Sequence, residues 1–330
     1  MRQTPFSAKI RQIEFSLPAQ CESNQDLLRD NPSWDMAKIY SKTGIAQRYV
    51  TAPEQTASDL CVAAAEKLFA EGLIRKEDIG GLLFCSQSPD YTLPTTACVI
   101  QDRLQLPKKI AAFDFNLGCS GFVYGLAIAG SMVESGLLDN VLLLCGDTYT
   151  KYIDRHDRTC RPLFSDAGTA TLIQRSENPK IGPFDLGTDG EGYRSLIVEN
   201  SGARVSSGGA LHEPKCLKMD GARVFVFTMS AVPESVNNLL NTAGILIQEI
   251  DWFVFHQASK LVLDDIVRNL RLPEEKVIRD LESIGNTVSA TIPIALKRSA
   301  DAGLLKSGQK IMLVGFGVGY SWGACLLQWN

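Results

Sequence analysis

Apolar and polar positions along the chain show two patterns, the alternation of a strand and the apolar run of a buried helix. The order of these patterns predicts strands that are followed by helices. Residues 112–116 alternate, with two phenylalanines on one face and Asp114 and Asn116 on the other, which is typical of a short strand. The Ala-rich apolar run after them predicts a helix that continues toward Val133 and ends at the Ser-Gly pair of residues 135–136. This strand-turn-helix unit is the clearest local signal in the chain.

The same patterns predict further elements in both halves of the chain. We expect strands over residues 8–15, 79–86, 141–145, 167–174, 252–255, 310–316 and 320–328. We expect helices over residues 24–30, 58–71, 95–104, 225–240, 261–270 and 289–300. Ser58 is the expected N-cap of the second of these helices. Residues 201–212 are rich in Gly and Ser, and we expect them to form a mobile loop that covers a site.

The two halves of the chain resemble each other. The helix-loop-strand series over residues 126–144 recurs over residues 296–314. We therefore expect two βα-rich halves, residues 1–176 and residues 177–330, packed together with parallel strands that are buried on both faces. Ligands of such sheets bind beyond the carboxyl ends of the strands, so we expect a site at that edge.

Cys119 lies in the turn between the predicted strand and helix described above. Gly118 and Gly121 bracket it, which allows a tight turn and a close approach of the backbone to a ligand. A thiol at a helix N-terminus meets unpaired N–H groups and the positive end of the helix dipole, so we expect the pKa of Cys119 to be lowered. Cys119 is either a nucleophile or a small buried cysteine in a strand-to-helix turn, and this stretch alone favours neither.

Two further polar residues are candidates for the same site. His256 ends the apolar run of residues 252–255, and Asn286 follows Gly285. Each has an ordinary alternative, a hydrogen-bonded structural histidine and a helix N-cap respectively. We expect both residues, like Cys119, to follow a strand, so all three can converge at the carboxyl ends of the sheets.

Composition narrows the class of protein. The chain has 330 residues, enough for a large core, and 45% hydrophobic and 21% charged residues, as in ordinary globular proteins. A net charge of -4 argues against nucleic acid as the main partner. No apolar run approaches the roughly 20 residues that span a bilayer. The first residues carry no apolar signal core, so we expect no membrane association and a cytoplasmic location.

Cysteine and histidine counts argue against structural cross-links. The chain has nine cysteines and no CxxC pair, and three histidines that lack metal-ligand spacing to any cysteine. An odd number of scattered cysteines does not suggest a disulfide framework. We expect neither a disulfide network nor a structural metal.

Three motifs occur in one order: Gly118-Cys119-Ser120-Gly121-Phe122, His256-Gln257-Ala258 and Gly285-Asn286-Thr287. Further matching stretches are residues 42–45, 157–158, 164–168 and 317–323. On these motifs the chain resembles, over essentially its whole length, the 3-oxoacyl-(acyl-carrier-protein) synthase III family of the thiolase superfamily. The resemblance implies an α/β thiolase-like fold in which the two similar halves pack as a layered αβαβα core.

The resemblance also implies a Cys-His-Asn mechanism. Cys119 accepts an acyl group from a thioester, as suits a soft nucleophile at a helix terminus. His256 and Asn286 then donate hydrogen bonds to the carbonyl oxygen of a malonyl thioester while CO2 leaves. The backbone N–H groups of Cys119 and Val318 form the oxyanion hole. No cofactor or metal is required, because acyl-coenzyme A or acyl-carrier-protein thioesters are the substrates.

Substrate contacts and partners are implied in the same way. The resemblance assigns substrate binding to Lys42, Arg158, Leu163, Phe225, Ala258 and Ser259. It implies a homodimer in which Leu93 closes the acyl pocket of the partner subunit. Acyl carrier protein is the implied protein partner.

Several positions depart from the family pattern. Lys38 and Lys42 stand where a Trp and an Arg commonly clamp the adenine of coenzyme A, and Lys is a point charge without a planar stacking face. Val226 replaces a basic residue that helps dock the carrier protein. Val318 replaces the middle glycine of a triple glycine and is expected to narrow the pocket. Two interpretations are open for Lys260, Arg268 and Arg271. They either place positive charge near the pocket mouth or form an ordinary solvated helix face.

The leading interpretation is a decarboxylative condensing enzyme that transfers the acyl group from Cys119 to a malonyl thioester. An acyltransferase on the same fold would instead pass the acyl group to an alcohol or amine. A catalytically silent scaffold is a third interpretation, which the presence of all three candidate residues disfavours. The departures leave open whether the enzyme serves fatty-acid synthesis or a polyketide or other specialised pathway.

Overall fold

A computed structural model describes residues 4–204 and 216–330 of the chain. The strands are β1 (Ala8–Ser16), β2 (Gln20–Ser23), β3 (Gln47–Val50), β4 (Gly81–Cys85), β5 (Ala111–Phe115), β6 (Asn140–Asp147), β7 (Ala167–Arg175), β8 (Ile181–Thr188), β9 (Leu196–Val198), β10 (Leu217–Met219), β11 (Trp252–Phe255), β12 (Lys310–Gly317) and β13 (Ser321–Gln328). The helices are α1 (Asn24–Asp30), α2 (Met36–Thr43), α3 (Ala57–Ala70), α4 (Thr96–Arg103), α5 (Gly121–Glu134), α6 (Gly221–Ala243), α7 (Lys260–Leu270) and α8 (Thr291–Asp301).

Two mixed sheets form the framework. The first has the strand order β1-β7-β6-β4-β5, and the second has the order β11-β12-β13-β8. In the first sheet β4 runs parallel to both β5 and β6, and in the second β11 runs parallel to β12. The parallel strands β4, β6 and β12 are largely continuous, buried apolar runs because helices cover both faces of each sheet, whereas the edge strand β5 alternates.

The sheets and helices stack in five layers. Helices α5 and α8 lie between the two sheets and share one apolar core with both of them. Helices α3 and α4 pack on the outer face of the first sheet, and α6 and α7 pack on the outer face of the second. This is the αβαβα order of a thiolase-like fold, as the resemblance implies.

The expected division between residues 1–176 and residues 177–330 falls in the connection between β7 and β8. It stays a prediction as a domain boundary, because the central helices bury apolar side chains of both sheets in a single core.

The sequence predicted the end of α5 correctly and the start of α3 incorrectly. Helix α5 ends where expected, with Ser135 as C-cap and Gly136 at φ +77°, a left-handed conformation that favours glycine. The predicted cap of α3 is wrong by two residues. Thr56 is the N-cap, and its N–H donates to Asp59 at 2.7 Å. Ser58 lies inside the helix instead, fully buried, and donates to Asp90 at 2.6 Å.

Two other expectations need correction. The sequence patterns missed helix α2, which has no buried side chain and therefore shows no apolar core signal. Asn286 does not follow a strand within the described chain. The segment before it is irregular, and an isolated bridge to Phe164 is the sheet-like contact at Asn286.

The expected covering loop over residues 201–212 falls mostly on residues 205–215, which lie outside the described residues. All nine cysteines lie in the described part of the chain, and all are free thiols. None of the helices in the described ranges has the length and apolar character needed to cross a membrane.

Candidate active site

Cys119, His256 and Asn286 come together at one cavity of about 570 Å³. The cavity opens between the start of α6, the start of α7 and the end of α2. Five of the other expected substrate-binding residues line the same cavity: Lys42, Leu163, Phe225, Ala258 and Ser259. Three segments that are far apart in sequence therefore build one site.

Cys119 sits where the turn after β5 enters α5, and only 5% of it is exposed. Close packing requires glycine on two sides of it. A Cβ on Gly121 would stand 2.2 Å from the Sγ of Cys85, and a Cβ on Gly317 would stand 2.9 Å from the Sγ of Cys119 itself. Gly317 therefore lets β12 approach the thiol of Cys119, and Gly121 lets Cys85 of β4 pack against the start of α5.

Backbone N–H groups converge on the thiol. The N–H groups of Val318 and of Cys119 itself both hydrogen-bond to the Sγ of Cys119. The carbonyl of Val318 accepts a hydrogen bond of 2.8 Å from the Ser321 hydroxyl, which also lies 2.7 Å from the hydroxyl of Ser120. These side chains hold the Val318 peptide in the orientation that aims its N–H at sulfur. The arrangement has the donor set of an oxyanion hole.

The expected lowering of the Cys119 pKa is wrong. The pKa of the thiol is raised to about 12, chiefly by burial and secondly by the nearby carboxylate of Asp147. The hydrogen bonds from Val318 and Cys119 lower the pKa, but they do not offset the loss of solvent. A buried turn desolvates the thiolate more than its donors stabilise it, and the sequence could not show that burial.

His256 is neutral and tightly held. It follows β11, is 2% exposed, and its backbone N–H donates to the carbonyl of Val314 at 2.8 Å. Its Nδ1 lies 2.7 Å from the hydroxyl oxygen of Thr291, and the edge of Phe316 packs against the ring. Burial lowers the pKa of His256 to about 3, so the imidazole is uncharged near neutral pH.

The hydroxyl of Thr291 decides which ring nitrogen of His256 carries the proton. Thr291 also lies within hydrogen-bond distance of the Val288 carbonyl, at 3.1 Å. When the hydroxyl donates to Val288, it accepts from Nδ1, and Nε2 is an acceptor. When the hydroxyl donates to Nδ1, Nε2–H becomes a donor that faces the cavity. Only the second arrangement can stabilise a developing negative charge on substrate.

Asn286 is oriented by its backbone and by its own amide oxygen. Its backbone N–H donates to the carbonyl of Leu163 at 3.0 Å, and its Oδ1 accepts from the N–H of Val288 at 3.0 Å. The amide nitrogen therefore points the other way, 3.5 Å from Nε2 of His256 and 3.3 Å from the carbonyl oxygen of Ala258. Asn286 presents N–H donors beside His256.

A cationic groove adjoins the cavity mouth. Lys38, Lys42 and Arg158 line it together with one carboxylate, Asp35, and Lys42 belongs to both the groove and the cavity. Within residues 4–204 and 216–330 these three side chains make no ion pair. The groove thus offers three available cations to an anion.

The positive charges expected on and after α7 are largely compensated. Lys260 pairs with Asp264 at 2.5 Å, and Arg268 pairs with Asp265. Lys260 lines a separate groove instead of the cavity. These contacts favour the solvated helix face over a docking role. The rim of the cavity presents Val226 instead, which is 69% exposed.

Leu93 does not reach the cavity of its own chain. It is 80% exposed, in the loop between β4 and α4. This position is compatible with its expected contact in a partner subunit, which stays a prediction.

Sequence reasoning missed several residues that shape the site. Leu196, Met219 and Val224 line the cavity, and Thr291 contacts His256. Asp147 was also missed, although one signal pointed to it. A charged residue continues the apolar run of β6, and such a residue is buried only with dedicated hydrogen bonds.

The layered fold and a cavity that holds cysteine, histidine and asparagine define the class of thiolase-like enzymes. The model for "3-Oxoacyl-[acyl-carrier-protein (ACP)] synthase III" matches residues 113–190, and the model for its C-terminal part matches residues 240–329. The chain is 33% identical to a beta-ketoacyl-[acyl-carrier-protein] synthase III of Neisseria gonorrhoeae, over 98% of this chain and 99% of the relative. The chain belongs to the 3-oxoacyl-(acyl-carrier-protein) synthase III family.

Solved structures give the same relationship. A 3-oxoacyl-(acyl-carrier-protein) synthase III structure superposes with a TM-score of 0.93 at 42% identity, covering 98% of this chain and 99% of that one. The priming beta-ketosynthase of the R1128 polyketide biosynthetic pathway superposes with a TM-score of 0.91 at 29% identity, covering 100% of this chain and 98% of that one. The chain is thus similar both to a 3-oxoacyl-(acyl-carrier-protein) synthase III and to a priming beta-ketosynthase of a polyketide pathway.

Proposed function

We propose that the chain catalyses the decarboxylative condensation of an acyl thioester with a malonyl thioester, most simply malonyl-acyl-carrier protein. The observation that carries the proposal is one cavity in which backbone N–H groups meet the Cys119 thiol beside two neutral donors, His256 and Asn286. Neutral donors suit an enolate oxygen, because they stabilise developing charge without giving up a proton.

In the first half-reaction the sulfur of Cys119 attacks the carbonyl carbon of the acyl thioester. The carbonyl oxygen becomes an oxyanion that the N–H groups of Cys119 and Val318 stabilise. The carrier thiol leaves with the proton that the Cys119 thiol gives up. The products are the acyl-enzyme and the free carrier thiol.

In the second half-reaction the malonyl thioester loses CO2, and the electron pair of the broken C–C bond forms an enolate. His256 Nε2–H and the amide of Asn286 stabilise the enolate oxygen. The enolate carbon attacks the acyl carbonyl, the C–S bond to Cys119 breaks, and the 3-oxoacyl thioester leaves. One proton from solvent restores the thiol.

The cationic groove at the mouth supports a carrier phosphate. Lys38, Lys42 and Arg158 would bind the phosphate of a pantetheine arm that enters the cavity. The two lysines offer no planar face for adenine, so we propose that the priming carrier is acyl carrier protein more readily than coenzyme A.

A homodimer is part of the proposal. Strand β5 forms one edge of the first sheet, and Phe113 on it is 36% exposed. Leu93 and Tyr91 in the neighbouring loop are 80% and 59% exposed. An open edge and exposed apolar side chains together support pairing with a second copy. A cytoplasmic location stays a prediction.

Intact-protein mass spectrometry tests the proposal. The full chain is incubated with matched acyl-coenzyme A and acyl-carrier-protein donors, and malonyl-acyl-carrier protein is then added. We expect an adduct on wild type that disappears as 3-oxoacyl product and CO2 form, and no adduct on Cys119→Ala. Cys98→Ala, which removes an exposed cysteine, is the matched control and should acylate normally.

A second variant separates the half-reactions. Asn286→Ala should still form the adduct, but its rate of CO2 release should fall by about 100- to 1000-fold, as for loss of one oxyanion donor. An adduct that survives malonyl thioester yet is discharged by an alcohol or amine would replace the proposal with a non-condensing acyltransferase. Absence of any adduct on wild type would favour the silent scaffold.

A further inference from the structure

A buried carboxylate lies behind the site and takes no part in the steps above. Asp147 ends β6 and is completely buried. Within the described ranges no cation pairs with it, and it is held by hydrogen bonds alone. Burial raises the pKa of Asp147 to about 7. A carboxylate buried at this position therefore lowers the unfolding free energy, which an apolar side chain would not do.

Its hydrogen bonds join the first sheet to the turn that precedes α8. One oxygen, Oδ1, accepts the N–H of Gln87 at 2.8 Å, in the loop after β4. The other, Oδ2, accepts the hydroxyl of Ser289 at 2.5 Å and its N–H at 3.3 Å. Ser289 lies in the short turn Val288–Ala290, which leads into α8.

That turn is conformationally strained. Val288 has a φ of +57°, a left-handed conformation that is costly for a β-branched residue. Such a conformation persists only where the surroundings hold it, and it gathers at functional sites. The two bonds from Ser289 to Asp147 tie this turn to the first sheet, beside the apolar contact between Ala290 and Ala167 of β7.

The same turn positions both donors of the second half-reaction. The N–H of Val288 donates to Oδ1 of Asn286, and its carbonyl lies 3.1 Å from the hydroxyl of Thr291. Thr291 in turn contacts Nδ1 of His256. A shift of this turn would therefore move the amide of Asn286, and it would also move the Val288 carbonyl, which competes with Nδ1 of His256 for the proton of the Thr291 hydroxyl.

We propose that Asp147 is a positioning residue for condensation, which acts through Ser289 to hold the Val288–Ala290 turn that aims the amide of Asn286 at the malonyl carbonyl and keeps the Val288 carbonyl in place beside Thr291, the partner of His256. This inference rests on the proposed function and deepens it. The oxyanion N–H groups that serve acylation belong to Cys119 and Val318, on other segments. Loss of the Asp147–Ser289 contact should therefore impair condensation far more than acylation.

The first test is Ser289→Ala in the full chain. Acylation of Cys119 is followed by intact-protein mass spectrometry, and CO2 release is followed with malonyl-acyl-carrier protein. We expect kcat for CO2 release to fall by about 10- to 100-fold, with KM and the acylation rate changed by less than about threefold, because orientation and not binding is lost.

The matched control is Ser235→Ala. Ser235 is a fully buried serine on α6 that donates to Asp185 at 2.6 Å, so the variant removes the same kind of bond away from the site. It should lower Tm by a similar amount and leave the ratio of condensation to acylation unchanged. If Ser289→Ala also leaves that ratio unchanged, the bond is merely structural and the inference is wrong.

A double-mutant cycle tests whether Asp147 and Ser289 act as one unit. Asp147→Asn keeps the shape and the Gln87 contact, so it serves where Asp147→Ala fails to fold. We expect the double variant Asp147→Asn/Ser289→Ala to lose no more kcat than the worse single variant. If the loss of kcat in the double variant equals the product of the losses in the two single variants, Asp147 and Ser289 act independently and the inference is wrong. A wild type that releases no CO2 would instead overturn the proposed function, and this inference with it.

Discussion

At the scale of single residues, burial sets the charge of the reacting groups. The thiol of Cys119 and the ring of His256 are both uncharged near neutral pH, because burial raises the first pKa to about 12 and lowers the second to about 3. The pair is therefore not a thiolate–imidazolium ion pair. The site depends instead on N–H donors that point at the substrate oxygen and stabilise the negative charge that develops on it during the reaction.

The neutral state of His256 predicts how stability depends on pH. Its folded pKa lies below the ordinary unfolded value of 6.5, so the unfolded chain binds a proton that the folded chain does not. The contribution of the neutral His256 ring to the unfolding free energy is therefore fully present above about pH 6.5 and is lost as the pH falls toward 3.

Urea unfolding of wild type and His256→Gln, at one protein concentration, checks this. We expect the difference between their unfolding free energies to change by about 1.4 kcal/mol per pH unit between pH 6 and pH 4. A difference that stays constant over that interval would mean that His256 titrates normally in the folded chain.

We predict that Val318 limits the acyl group, although its side chain lies beside Gly118 and not among the residues that line the cavity of about 570 Å³. Its Cγ1 stands 2.8 Å from where a Cβ on Gly118 would lie, and its side chain packs with the apolar cluster around Cys119. Val318→Ala keeps the backbone N–H and removes two methyl groups. We expect acylation by thioesters one or two carbons longer to rise about tenfold relative to the preferred primer.

Competition between acyl donors of different length, read by intact-protein mass spectrometry, measures this effect. Val141→Ala, an equal truncation in the buried part of β6, controls for a general loosening of the core. An unchanged chain-length profile in Val318→Ala would show that Val318 does not limit the acyl group.

At the scale of elements, the edge strand β5 organises its neighbours through its polar face. Asp114 accepts the N–H groups of Thr96 and Ala97 at 2.6 and 2.7 Å, so a strand residue caps the start of α4. The sequence alternation placed Asp114 on the face away from the two phenylalanines, and the cap explains why that face is polar.

Removing this cap should destabilise the protein. Asp114→Ala leaves two N–H groups of α4 without their acceptor, so we expect a loss of about 1–2 kcal/mol of unfolding free energy. Urea denaturation measures it. Asp102→Ala, an exposed carboxylate on the same helix, is the control and should change stability by less than about 0.5 kcal/mol. Equal effects of the two variants would argue against the cap.

At the scale of the whole molecule, the open edge at β5 predicts the oligomeric state. Phe113→Glu places a charge on the edge strand beside exposed Leu93 and Tyr91. If two copies pair there, the variant should shift from dimer to monomer, because a charge would be buried without a partner.

Analytical ultracentrifugation of wild type and Phe113→Glu measures the shift. Leu137→Glu is the control, since Leu137 is 66% exposed in the connection between α5 and β6. A wild type that sediments as a monomer, or a Phe113→Glu variant that remains dimeric, would contradict pairing through this edge.

Much of the architecture was readable in the chain because it depends on local chemistry. The apolar runs of β4, β6 and β12 are buried on both faces, so their strands stand out without any alternation. The strand-turn-helix unit around Cys119 was readable because its glycines and its terminal Ser-Gly pair are local signals. Helix α2 was not readable, because it buries no side chain that would mark it.

The sequence by itself determined the order of most strands and helices, the two similar halves and the motifs that mark the family, since these are properties of short segments. The αβαβα layering and the roles of the reacting residues were implied by the resemblance to that family. Only the tertiary structure decided the charge of those residues and what orients them. Desolvation depends on atoms from every layer, which is why the pKa of Cys119 rises where its turn alone predicted a fall. The contact between Asp147 and Ser289 joins residues 142 positions apart, and no local pattern carries such a pairing.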